Sequence, residues 1–84
     1  MKDLLRELEE AERIANEIDE LWENNPDSEE IEREWLKAYK TKHEAFECLV
    51  SAVVEISNGR IDEKTARAII NGKREQFKKI VYMM

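Results

Sequence analysis

His43 and Glu47 stand four positions apart, the spacing that places two side chains on one face of a helix. Both residue types can ligate a metal ion. His43 is the only histidine among 84 residues, and two ligands without a third or fourth do not make a metal site. The residue is therefore read as a partly buried histidine packed against Phe77. Cys48, the only cysteine, lies in "FECLVSAVV" among core-type residues and is expected to be a buried thiol; alone it cannot staple the fold. Carboxylates crowd "MKDLLRELEE" and "SEEIERE", spread over solvated helix positions where they do no acid–base work. Gly59 and Gly72 are too far apart to cradle a phosphate, and each reads as a helix-end or kink device. Trp22 and Trp35 fall near a chain reversal, as core residues with a rim available as a contact hot spot. No catalytic residue, metal or cofactor is expected, and the chain reads as non-enzymatic.

The elements that carry these residues follow from composition and spacing. Charged residues at 40%, with two glycines and one proline, favour long solvated helices over strands, while 42% apolar residues are enough for one small core. No apolar run is long enough for a bilayer, and the acidic N-terminus does not resemble a targeting peptide, so a cytoplasmic location is expected. The net charge of −6 conceals a gradient. Residues 1–34 carry fourteen acids and four bases (−10), residues 35–59 three of each, and residues 60–84 seven bases and three acids (+4).

Leu4, Leu8, Ala11, Ala15, Ile18 and Trp22 alternate at spacings of four and three, the seam of a helix over about 3–24. Pro26 stops it, and Asp27 with Glu30 reads as a capping box opening a second helix over about 28–57. That helix has the seam Ile31, Trp35, Ala38, Lys42, Ala45, Leu49, Ala52 and Ile56, and ends at Gly59 as a left-handed cap. Folded back on the first helix, facing residues have numbers summing to 53. Lys42 then faces Ala11, with room for its stem. A second stripe, Leu36, Tyr39, His43, Phe46, Val50 and Val53, requires another partner. A third helix over about 63–82, capped by Asp62 and stapled by Ile61, supplies Ala66, Ile69, Ile70, Phe77, Ile80, Val81 and Met84. Facing numbers summing to about 120 pair Val50 with Ile70 and His43 with Phe77, and Asn71–Gly72 is the weak point where a kink is expected. The expected fold is an all-α, up-down-up three-helix bundle in one domain, and the small core with the apolar end "IVYMM" suggests a homodimer.

The stretch "GRIDEKTARAIINGKR" resembles the turn and second helix of phage-repressor-type helix-turn-helix domains, matching at Gly59, Ile61, Asp62, Thr65, Ala66, Ile69, Asn71, Gly72, Lys73 and Arg74. The resemblance implies that Glu63, Lys64, Thr65, Arg67 and Ala68 lie toward a major groove and Lys73 and Arg74 toward phosphates. On this alternative the chain is a small DNA-binding regulator whose basic face comprises Arg60, Lys64, Arg67, Lys73, Arg74 and Lys78. A net charge of −6 opposes it unless the acids point away from the phosphates.

The ending "GRIDEKTARAIINGKREQF" after an acidic helical hairpin is also similar to small proteins of phages and mobile elements, and a chain of this size and acidity resembles the class of phage inhibitors of host defence that includes anti-CRISPR proteins. That resemblance implies a host protein as partner, such as a nucleic-acid-binding effector, met in the host cytoplasm. The residues that could present carboxylates to a basic partner are Asp3, Glu9, Glu10, Glu17, Glu20, Glu23, Glu29, Glu30, Glu32 and Glu34, with Tyr82 and Met83 as a candidate apolar contact. Binding and inhibiting such a host protein is the principal expectation.

Overall fold

The structure, a computed structural model, describes residues 1–83 as four helices: α1 (Lys2–Asn24), α2 (Glu29–Ile56), α3 (Glu63–Gly72) and α4 (Arg74–Met83). The expected third helix is two helices, so the three-helix bundle is corrected to a four-helix arrangement.

The α1/α2 hairpin follows the seam. Leu8, Ala11 and Ala15 of α1 and Ala38 and Leu49 of α2 are buried, and the alanines let the backbones approach. At the corner, Asn25 donates from its backbone N–H to the Trp22 carbonyl (3.1 Å) and from Nδ2 to the Leu21 carbonyl (3.0 Å), satisfying two acceptors of the last turn. The cap of α2 is Ser28, whose Oγ accepts from the Ile31 N–H (3.3 Å); Asp27 lies one position outside the cap. At its other end α2 closes with paired bonds from Asn58 N–H to Glu55 O and from Gly59 N–H to Val54 O, both 3.1 Å. The left-handed residue beyond the cap is Asn58 (φ 57°), with Gly59 also at positive φ (80°), so the expected single-glycine cap becomes a two-residue one.

α3 starts as expected, with Asp62 Oδ1 accepting from the Thr65 N–H (2.7 Å). It descends along α2, with Arg67 Nη2 2.8 Å from Glu47 Oε2. The chain leaves the helix at Lys73 (φ −130°, ψ 42°) while Gly72 is still helical, so the break comes one residue after the expected kink. Arg74 Nε donates to the Ile70 carbonyl (2.7 Å), capping the end of α3 with a side chain. α4 then runs antiparallel to α1. Arg74 reaches Glu12, Lys78 reaches Glu9, and Val81 lies beside Met1 and Lys2.

The break has a packing reason. An unbroken helix would place Phe77 on His43 and leave Leu5 open. With α4 turned onto α1, Leu5, Phe77 and Val81 are all buried in one cluster with Leu8, Leu49, Val50, Val53, Ala66 and Ile70. Each such large apolar side chain contributes about 1.5–3 kcal/mol on burial. His43 is consequently exposed rather than packed on Phe77. Cys48 is exposed as well, because it faces the side of the hairpin opposite α3 and α4. Lys42 turns its ammonium over the Tyr39 ring, 5.0 Å from the centroid.

The molecule measures 47 × 20 × 20 Å. Its core occupies the end where the four helices meet, here termed the base. The Pro26 corner forms the opposite end, the tip, built from α1 and α2 alone.

Candidate partner-binding tip

α3 reaches no further along α2 than the depression where Asn71 meets Tyr39, Lys42, His43 and Phe46. Beyond it the second stripe of α2 is uncovered, and Leu36 is 56% exposed.

Here the aromatic residues form a ladder. Trp22 stacks on Trp35 with centroids 5.6 Å apart, and Trp35 leans on Tyr39 at 4.5 Å. Asp19 of α1 ties the ladder to the first helix by accepting from Trp35 Nε1 with one oxygen and from the Tyr39 hydroxyl (2.6 Å) with the other. These two bonds, that from Tyr39 first, hold the Asp19 carboxyl below its ordinary range, and Asp19 in turn pushes the Tyr39 hydroxyl up. Trp22 retains 36% of its surface in solvent and Leu21 and Leu36 more, so the tip presents apolar area on a braced frame.

The ten candidate acids divide by position. Glu9 pairs with Lys78 at 3.1 Å, and Glu10 and Glu17 both pair with Arg13. Asp3 is exposed near the base. Glu20, Glu23, Glu29, Glu30, Glu32 and Glu34 are exposed around the tip, and only Glu29 has a basic neighbour, Arg33 at 3.9 Å, among the described residues. From Glu17 to Trp35 there are nine acids and one base, a net charge of −8. At about 1.5 Å per residue this section is about 15 Å long with its corner, roughly one net charge per 2 Å, close to the about one per 1.7 Å of duplex DNA.

The six candidate bases divide likewise. Arg67, Arg74 and Lys78 are held by Glu47, Glu12 and Glu9, and those carboxylates raise the affinity of each base for its proton. Arg60, Lys64 and Lys73 are exposed and have no carboxylate within 4 Å among the described residues. Of the other residues placed toward a groove by the helix-turn-helix resemblance, Glu63, Thr65 and Ala68 are exposed on α3. Tyr82 and Met83 are exposed at the base beside Ile80, with Met83 at 86%.

Asp19, Tyr39 and Lys42 were not among the candidate residues. The constant sum of 53 held the signal, since it brings Asp19 within one position of Trp35 across the hairpin. Among the described residues no three His, Cys, Asp or Glu side chains converge to hold a metal, and no helix is long and apolar enough to cross a membrane. Comparison with protein-family models, curated proteins and solved structures gives no match.

Proposed function

We propose that this chain is a non-enzymatic interaction module, a phage or mobile-element accessory protein that inserts its tip into a basic surface of a host protein in the cytoplasm and inhibits or modulates it. The observation that carries this reading is the tip itself: a net charge of −8 at nearly the linear density of a duplex, on a two-helix arm braced by Asp19 and left uncovered by α3 and α4. A cleft that holds nucleic acid is lined to accept such charge, and Trp22, Leu21 and Leu36 supply apolar anchors within the rim. The DNA-binding alternative is less well supported, because Arg67, Arg74 and Lys78 are already engaged inside the molecule.

The test is affinity capture from nuclease-treated host lysate with three baits: the wild-type chain, a tip variant (Glu23, Glu29, Glu30 and Glu32 each to Lys) and a base variant (Lys64 and Lys73 each to Glu). The expected result is a stoichiometric partner that the base variant retains and the tip variant loses, released by salt as exposed charge contacts are. A partner retained by the tip variant overturns the assignment. Recovery only when nucleic acid is left intact, abolished by the base variant, establishes the DNA reading instead.

A further inference from the structure

The side of the hairpin facing away from α3 and α4 carries an open groove between α1 and α2, about 680 Å³ in volume. Ala11, Ala45 and Cys48 line it, and Ile14 stands along it at 39% exposure. It continues toward the tip past Ile18 and Ala38, and Ala11, Ile14 and Thr41 belong to both halves, where the two meet. We infer that this groove is the interface of an antiparallel homodimer, in which a twofold axis crosses between Ile14 and Thr41 and brings each long face against its copy.

Size favours this face. A stable interface needs about 800 Å² from each partner. With dimensions of 47 × 20 × 20 Å, an end of the molecule offers about 400 Å² and a long side about 900 Å². The end face beside Tyr82 and Met83 is too small to sustain a dimer end to end. The groove side is large enough, and neither α3 nor α4 covers it.

Charge selects the second copy and its direction. Lys37 and Glu44 line the groove on either side of Thr41, one turn toward the tip and one toward the base, and neither has an ionic partner within 4 Å among the described residues. A twofold axis at Thr41 sets Lys37 opposite the partner's Glu44 and Glu44 opposite the partner's Lys37, two reciprocal pairs from one surface. On α1 the same axis sets Arg6 near the partner's Leu21, at the start of its acidic tip. It also brings Glu10 toward the partner's Glu17, but Arg13 already bridges both carboxylates within its own chain. A parallel arrangement would bring together two sections of −8 each and is repelled.

The experiment is sedimentation equilibrium of the full chain up to millimolar concentration. The wild type is expected to sediment as a dimer and Ile14→Glu as a monomer with unchanged helix content. Lys37→Glu weakens dimerisation by about tenfold or more, and adding Glu44→Lys restores it, because the swap regenerates both pairs. On a Cys48→Ser background, Thr41→Cys forms an interchain disulfide on mild oxidation, since the axis brings its Cα atoms within the about 5.5 Å that such a bond spans. A wild-type chain that remains monomeric at millimolar concentration overturns the proposal. So does a dimer that survives Ile14→Glu, or one that fails to cross-link through position 41. The tip's binding of a host protein is measured separately, so either idea can fail alone.

Discussion

Arg74 and Glu12, 62 positions apart in the chain, are joined by two hydrogen bonds of 2.7 and 3.0 Å, with both side chains largely shielded from solvent. The same guanidinium caps α3 through the Ile70 carbonyl. One side chain thus ends a helix, turns the chain and fastens the next helix to α1. Arg74→Met is expected to cost about 1.5–3 kcal/mol, the range of hydrogen bonds to charged groups. A double-mutant cycle with Glu12→Gln, read by thermal unfolding, is expected to give a favourable coupling energy. Additive losses would show that the pair does not hold α4.

The core is concentrated at the base, so truncations there and at the tip differ in cost. Phe77→Ala should lose about 3–5 kcal/mol and Leu5→Ala about 2–5 kcal/mol, against a total stability of about 5–15 kcal/mol for a small domain. Trp22→Ala removes a half-exposed ring and should leave the urea midpoint much closer to wild type. Equal losses at the two ends would contradict the placement of the core.

Acid should loosen the tip through Asp19. Its carboxyl is held low in the folded chain, so its stabilising contribution is complete above the ordinary unfolded carboxyl value of about 4 and is lost as pH falls through the depressed folded value. Both tryptophans of the chain lie in the ladder, so near-ultraviolet circular dichroism reads this event directly. The expected transition lies below about pH 4 and is absent in Asp19→Asn. The same substitution should bring the Tyr39 phenol, now raised by Asp19, back toward the ordinary value of about 10 in an alkaline absorbance titration.

The two glycines should respond oppositely to alanine. Gly72 is helical and a methyl group there meets nothing within 4 Å, so Gly72→Ala is expected to stabilise by about 0.5–1 kcal/mol. Gly59 also has open space, but its φ of +80° strains any L side chain, and Gly59→Ala should destabilise by about 1 kcal/mol. The sign of each change in melting temperature checks the assignment.

These residues show where local pattern suffices. The α1/α2 register was legible because Leu8, Ala11, Ala15, Ala38 and Leu49 repeat at fixed spacing, and such a repeat has few ways to close. The path after Gly72 was not. Ile70, Phe77, Ile80 and Val81 fit an unbroken stripe as well as a broken one, and the choice depends on Leu5, which lies off the first seam and marks a second partner for α1. For the same reason Arg67, Arg74 and Lys78 looked like a free basic face: ion pairs across the fold have no local signature, whereas the carboxylate excess at the tip can be counted directly.

The confinement of the core to one end also means that the molecule does not open as a unit. Amide protons of α2 around Leu49 and Val53 should exchange with deuterium only on global unfolding. Those between Glu20 and Arg33, backed by two helices and a few side-chain bonds, should exchange through local fraying at much lower free energy. The arm is therefore the part of the molecule that can change shape against a partner while the base stays folded.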